Sequence, residues 1–415
     1  MARRVRSIGP RPVSLFTTMA SGVAVREQEL TLENKIVMLN RSQAEALPAW
    51  SSAFTYLRKD SRYYGLVEDT IGTDFQYGYL GIKDESGTII AVQPSFILDQ
   101  DLLAGSNPRA RRLVDAVRKA WPGFLKLRTL MVGCAAGEGQ LCTPDPRQRQ
   151  EIAAALAADL PRVAREMQAS LVVLKEFPAE YRICLAALAA KGFSQLPSMP
   201  MTRLDLSRYS SFDDYLARAL PAEWRRKFRW NLKPADTTDP LDLNVTNNVD
   251  GVADEVFGLY QQVLGRSVLR FEKLTPAYFQ ELGRRMPDKT RIFLWKQKGR
   301  LVAFSLCLLH GDELFAEYLG MEYPLALELH LYFHVWRGLI SWAIANGCKA
   351  IVSTSLGYKP KLRMKQTLVP LDLYILQTNP LINRLFRAAL PWLDPTRGQA
   401  TLRRFPNHSE LWPDR

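Results

Sequence analysis

The sequence predicts a mixed α/β protein built from two similar domains in tandem, each a mixed β-sheet flanked by helices. Three observations carry that prediction. The chain has 415 residues, more than one ordinary hydrophobic core organises and enough for two. Its composition, 47% hydrophobic and 23% charged, is that of a globular chain, with no run near the length of a spanning helix. Finally, one order of elements recurs in both halves: hairpin, strand, helix, strand, short helix, strand. The repeat is one of structure, not of sequence identity.

Residues 1–31 precede the pattern. The segment MARRVRSIGPRPVSLFTTMASGVAVRE holds five arginines and no acid before Glu27. It is expected to be a disordered basic tail, because Pro10 and Pro12 break the helix that a presequence would form. The first domain is expected over 32–206. GYLGIK (Gly78–Lys83) and TIIAVQPSFIL (Thr88–Leu98) read as a hairpin across Asp84–Gly87. A basic helix is expected around Pro108–Ala120, then an apolar strand at Leu127–Val132 and a loop, GCAAGEG, at Gly133–Gly139. Apolar residues at helical spacing place a long helix from Asp145 to about Gln168. Ser170–Leu174 follows as a strand, Glu180–Lys191 as a helix ended by Gly192, and Met199–Leu206 as the closing strand.

The second domain is expected over 207–378. Ser211 caps a helix before Asp213 and Asp214, and the sequence then turns strongly basic. RIFLWK (Arg291–Lys296), LVAFSLCLL (Leu301–Leu309) and ELFAEYL (Glu313–Leu319) read as three successive strands. A helix over about Leu325–Ala345 stops at Asn346-Gly347, a C-cap signal. Ala350–Ser353 and Leu368–Leu376 are the last strands. Residues 379–415 form an amphipathic helix and a tail; LINRLFRAALPWL (Leu381–Leu393) can lie on an anionic membrane or dock onto its own protein.

Charge and cysteines narrow the classes of partner. A net charge of +13 favours anionic partners such as coenzymes, acidic glycans, RNA or anionic lipid; no DNA partner is expected. The five cysteines are scattered and contain no CxxC pair, which fits a reducing cytoplasm and argues against a zinc site or a disulfide framework. His330 and His334 share a helix face, but HExxH and a third ligand are missing. No metal is expected; the two histidines read as a packed or cleft-edge pair, with His334 also a candidate proton relay at the substrate site. Arg218, Arg225, Arg226, Lys227, Arg229 and Lys233, interleaved with Trp224, Phe228 and Trp230, would either track RNA or form an amphipathic helix with its aromatics inward.

Several stretches carry a family likeness. SFDDYLARALPAEWRRKFRWNLKPA, RFEKLTPAYFQEL, LELHLYFHVWRGLISWAIANGCK and GYKPKLRMKQTLVPLDLYI resemble the Fem-like transferases and the CelD-type acetyltransferase-domain proteins of bacteria, which use the GNAT acyltransferase fold twice. The resemblance spans about residues 40–380 and implies two GNAT-like domains in tandem. It also implies a cytoplasmic N-acyltransferase moving an acyl group from an activated donor to an amine of a small molecule or cell-envelope precursor. No bound cofactor is implied. Acyl-CoA is the expected co-substrate, ahead of aminoacyl-tRNA; the competing class is a non-catalytic binding protein of the same fold. One departure is plain. Where acetyl-CoA enzymes carry a glycine-rich phosphate loop, the second domain has GMEYPLALELH, a poor cradle for a diphosphate.

Such a reaction needs a base for the amine, dipoles for the developing oxyanion and an acid for the leaving group. Glu317, a carboxylate among apolar strand residues, is the first candidate for the base, the alternative being that it pairs with a neighbouring arginine. Glu272 in RFEKL is the alternative. Tyr358, after Gly357 at a strand end, is either a phenolic donor to the leaving group or a tyrosine that packs its ring over the loop. Lys361 matches the family's lysine and would neutralise an oxyanion or phosphate, with Gly357 and Arg363 beside it. Gly137 and Gly139 of the first domain's loop would let a substrate approach backbone amides.

Overall fold

The computed structural model describes residues 34–101, 116, 119, 126–238, 240–267, 271–390 and 394–412. The expected basic tail and most of the helix expected at 108–120 lie outside them. The described residues from Lys35 onward form one compact unit.

Fourteen strands among the described residues build two seven-stranded sheets. In chain order these are β1 (Ile36–Leu39), β2 (Gln76–Lys83), β3 (Ile89–Asp101), β4 (Lys126–Val132), β5 (Leu171–Pro178), β6 (Ser194–Pro197), β7 (Met201–Asp205), β8 (Asp242–Thr246), β9 (Thr290–Gln297), β10 (Arg300–His310), β11 (Glu313–Met321), β12 (Ala350–Ser353), β13 (Thr367–Val369) and β14 (Leu371–Gln377). The first sheet runs β1-β2-β3-β4-β5-β14-β6 and the second β13-β7-β12-β11-β10-β9-β8. Each has one parallel pair, β4 with β5 and β11 with β12, and is otherwise antiparallel. This is the expected tandem of two GNAT-like mixed sheets.

The sheets exchange strands, so the expected boundary at 206/207 does not separate them. β7, read as the closing strand of the first domain, pairs with β12 and β13 of the second sheet. β14 returns the exchange by lying between β5 and β6 of the first. The expected strand Leu368–Leu376 is split at Pro370, which offers no N–H to a ladder. β13 therefore stays in one sheet while β14 crosses to the other.

The helices cover the sheet faces. They are α1 (Ser61–Thr70), α2 (Pro146–Glu166), α3 (Phe212–Ala219), α4 (Ala222–Thr238), α5 (Ala253–Arg266), α6 (Pro276–Arg285), α7 (Leu331–Ala345), α8 (Tyr358–Arg363) and α9 (Pro380–Ala389), with short turns between. Asp145 caps α2, Ser211 caps α3 and Thr275 caps α6, each accepting a bond from a first-turn N–H. Two expected helices are broken. Leu325–Glu328 is separate from α7 because His330 takes a left-handed φ of 53°, and Glu180–Lys191 is three short pieces.

The larger core joins both halves: Tyr63, Leu66, Phe96, Val173 and Phe177 share it with Val256, Tyr278, Phe279 and Phe304. Around it, α1 docks on α6. The Tyr63 and Tyr278 hydroxyls meet at 2.8 Å, Thr275 Oγ1 donates to the Thr70 carbonyl at 3.1 Å, and Arg285 pairs with Asp69 at 2.5 Å. Buried apolar surface, not these half-exposed ion pairs, supplies most of the adhesion.

Candidate active site

In each sheet the parallel pair stops pairing partway, leaving a fork. β4 and β5 part after Val132 and Leu174, and β11 and β12 part after Ala316 and Ser353. Such an opening exposes backbone groups that need partners, and the two forks find them differently.

The first fork is filled by its own loop. The Gly139 N–H donates to the carbonyl of Lys175 at 2.9 Å, and Lys175 Nζ donates to the Gly137 carbonyl at 2.7 Å. A Cβ on Gly139 would lie 2.4 Å from the Lys175 carbonyl oxygen and from the Phe177 ring. At Gly137 it would lie 2.0 Å from Lys59 Nζ. These glycines, expected to admit a substrate, are required for the chain to pack against itself.

The second fork opens at a bulge. Leu306 pairs with Tyr318 and Cys307 with Ala316, so Glu317 is the extra residue on β11. Thr354 ties the strands at the divergence: its N–H donates to the Ala316 carbonyl at 3.4 Å and its hydroxyl to the Glu317 carbonyl at 3.3 Å. The mouth of this fork, Thr354 and Gly357, is exposed, with Ser355 and Leu356 half-buried.

Glu317 does not stand free in that mouth. Its carboxylate is buried and accepts from Arg58 Nε at 2.6 Å and Lys59 Nζ at 3.0 Å. The same two cations reach Glu138 of the first loop, at 2.7 Å and 3.2 Å. The four charges cancel. Burial would push the Glu138 carboxyl up, but Arg58 and Lys59 outweigh it and hold it well below the usual carboxylate range. Lys59 is likewise held above its ordinary value against burial by the two glutamates. A carboxylate with both oxygens so engaged is a strut between the two forks, the expected pairing with an arginine in place of the base role.

Tyr358 takes the packing role of its two expected ones. Its ring packs among Met199, Leu368, Leu402 and Phe405, and its hydroxyl donates to the Pro200 carbonyl at 2.9 Å. The C-terminal segment covers it. Arg363 is exposed and stacks its guanidinium 4.3 Å above the Trp224 ring. His334 is buried between α4 and α7, 3.2 Å from Arg337 and 4.0 Å from Asp236. Burial, with the Arg337 charge, pushes it down to about 4, so it is neutral and remote in role from the fork. On α4, Phe228 enters the second core while Arg226, Arg229 and Trp230 face solvent. Among the described residues no group of three histidine, cysteine or acidic side chains could hold a metal ion.

Lys361 is the residue that the structure delivers to the fork. Gly357, in the left-handed region at φ 64°, turns the chain into α8. One turn later Lys361 points back so that its ammonium donates to the Thr354 carbonyl. The side chain is buried, and burial pushes its pKa down from 10.5 to about 7. No carboxylate among the described residues offsets that shift.

Beside the fork lies Glu272, half-buried, which accepts from the Tyr318 hydroxyl at 2.7 Å. Tyr318 follows the Glu317 bulge, so Glu272, Tyr318, Glu317, Thr354 and Lys361 form one connected run. Lys175 adds a cation nearby: Glu176 is 2.6 Å away, the Phe271 ring lies 5.0 Å from its Nζ, and Glu176 with Glu272 holds it above its ordinary value against burial. Arg58, Lys59, Glu138, Lys175 and Tyr318 were not legible as site residues. The available signal was charge inside apolar context, Arg58-Lys59 after TYL and Lys175-Glu176 inside LVVLKEF.

Comparison with known proteins now has a geometry to attach to. A sequence-family model for FemAB-like proteins, described as peptidoglycan biosynthesis/recognition, matches residues 131–363, more than half of the chain. The chain belongs to the FemAB-like family. No curated protein matches it. Among solved structures it is similar to FemX, with 10% identity, a TM-score of 0.50, and coverage of 85% of this chain and 100% of that one. A tandem GNAT protein from the clavulanic acid biosynthesis pathway has 13% identity and a TM-score of 0.48, covering 83% and 97%. A GCN5-related N-acetyltransferase from Anabaena variabilis has 13% identity and a TM-score of 0.42, covering 83% and 73%. At such identities the FemX likeness speaks for the fold alone.

Proposed function

We propose that this FemAB-like protein is a transferase that moves an acyl group from an activated ester to an amine of a cell-envelope precursor, and that the reaction runs at the β11–β12 fork. The observation that carries the reading is Lys361, an amine buried without a carboxylate directly beneath the exposed Thr354–Gly357 mouth. A protein interior does not keep a lysine in that state for stability, since burying an unpaired charge is costly. The family's description supports the envelope acceptor.

The chemistry distributes over named groups. The acceptor amine attacks the acyl carbonyl, a C–N bond forms and the bond to the leaving oxygen breaks. Glu272, with one hydroxyl partner and partial exposure, takes the amine proton. The Lys361 ammonium faces the developing oxyanion and returns a proton to the leaving group, a task suited to a pKa near neutrality.

The donor that best suits this fork is an aminoacyl ester of tRNA. Gly320, the only glycine of GMEYPLALELH, is packed so tightly that a Cβ would lie 2.2 Å from the Phe304 ring. This glycine thus serves close packing against Phe304, and the segment has no other glycine to shape a diphosphate loop, which speaks against acyl-CoA. The test is a transfer assay with radiolabelled aminoacyl-tRNA or acyl-CoA and an envelope-precursor amine, run with wild type and Lys361→Met. Transfer from aminoacyl-tRNA that is lost in the variant supports the reading. Transfer from acyl-CoA overturns the donor, and binding of either donor without turnover overturns the enzyme.

A further inference from the structure

Helix α9 carries its apolar residues on the outside. Asn383, Phe386 and Leu390 face the protein: Asn383 Nδ2 donates to the Gly192 carbonyl at 3.0 Å, its Oδ1 accepts from the Gln377 N–H at 3.1 Å, and Phe386 joins the larger core. That face suffices to hold the helix. Leu381 (80% exposed), Ile382 (49%) and Leu385 (74%) point away from it, with Ala388 and Ala389 also exposed. These five positions follow the i, i+1, i+4, i+7, i+8 spacing of a single stripe. Of the seven large apolar side chains exposed among the described residues, three therefore lie together here. Asn379 caps the helix, accepting from the Leu381 and Ile382 N–H groups at 3.0 and 3.3 Å, so the stripe is preformed.

Charge identifies what would cover it. Arg384 and Arg387 are exposed along the flank opposite the buried contacts of Phe386, and α9 contains no acidic residue. We propose that α9 docks the protein peripherally on an anionic membrane, leucines in the interface and arginines at lipid phosphates. A second copy of the chain would bring like charges together across the same stripe, whereas anionic headgroups neutralise them. No described helix is long and apolar enough to cross a membrane, and α9, about 15 Å long, fits the role of a helix lying in the surface plane. The proposal is independent of the transfer reaction.

The test is co-sedimentation of the full chain with phosphatidylcholine vesicles, with and without about a third of phosphatidylglycerol, at low and high salt. Binding is expected to the anionic vesicles, weakening with salt. Replacing both arginines by glutamine should lower the partition coefficient about 30-fold, from about 1 kcal/mol per cation. Leu381→Asp with Leu385→Asp should abolish binding, with the melting temperature unchanged because both side chains are exposed. Two results overturn the proposal: anionic vesicles that fail to bind the wild type or bind the variants equally, and a solution dimer that the leucine variant dissolves.

Discussion

Lys361 gives the sharpest prediction, because its burial leaves a signature in how stability depends on pH. An unfolded chain titrates this lysine near 10.5, while the folded protein does so near 7. Between those values the unfolded state holds a proton that the folded state has shed. Stability must therefore rise with pH across that window, by about 1.4 kcal/mol per pH unit. Below about pH 7 both states are protonated and the full penalty, about 5 kcal/mol, applies; above about pH 10.5 it vanishes. Lys361→Met keeps the side-chain length and removes the titration. The variant should be more stable than wild type near neutral pH, and its advantage should shrink by about 2.5 kcal/mol between about pH 7.5 and about pH 9.5. Urea denaturation of both proteins at the two pH values measures it, since a pH-dependent term common to the rest of the chain cancels in the difference. A difference that stays flat across that range would refute the burial of an unpaired ammonium, and with it the reason for placing chemistry at this fork. A variant both more stable and inactive would show that the cost is retained for function.

The other predictions separate struts from chemistry. Glu317→Ala leaves Arg58 and Lys59 buried with one carboxylate between them and should cost about 3–5 kcal/mol in chemical denaturation. Glu317→Ala with Glu138→Ala should differ from the sum of the single changes, because both glutamates share the same two cations. Glu272→Gln should leave the melting temperature nearly unchanged while lowering the transfer rate about 10²–10⁴-fold; a loss of under about threefold would remove Glu272 from the mechanism. Tyr358→Phe should cost about 1 kcal/mol of stability, the worth of its bond to the Pro200 carbonyl, and leave kcat unaltered. Gly139→Ala should destabilise by about 1–3 kcal/mol through the clash with Phe177.

Local patterns made the elements legible and left their partners hidden. The hairpin at β9–β10, the cap at Ser211 and the Asn346-Gly347 stop are decided by residues within a few positions of each other, so their signals survive in a single sequence. Strand exchange is not of that kind. Whether β7 continues its own sheet or joins β12 depends on pairings such as Ile351 with Leu204, more than a hundred residues apart, and both choices bury the same apolar face. The same distance hid the site. Glu317 was visible as a buried carboxylate, but its meaning depends on Arg58 and Lys59, about 260 positions earlier in the chain. GCAAGEG was read for its glycines, while its functional side chain in the fold is Glu138. Lys361 is legible from its match to the family's lysine, and the left-handed turn at Gly357 that aims it lies only one helical turn away.

The two forks differ in what fills them. They are equivalent openings in equivalent sheets, joined through the quartet of Arg58, Lys59, Glu138 and Glu317. In the first, the loop after β4 folds back and its Gly139 N–H donates to the carbonyls of Lys175 and Glu176 on β5 beyond Leu174, so the opening is consumed by backbone. In the second, the loop after β12 turns away at Gly357 and the gap receives one amine instead. A filled fork stabilises its sheet and can bind nothing, and a fork that keeps a buried lysine gives up stability at neutral pH. The tandem thus assigns unlike tasks to like halves: the first sheet braces the Glu317 bulge through Glu138, and the second presents Lys361 at the mouth. Loosening the brace should then reach the chemistry as well as the stability. Glu138→Gln, which lies in the first loop, should reduce transfer at the second fork without altering Lys361 itself. A variant with reduced stability but a full transfer rate would show that the brace supports the fold and does not reach the chemistry.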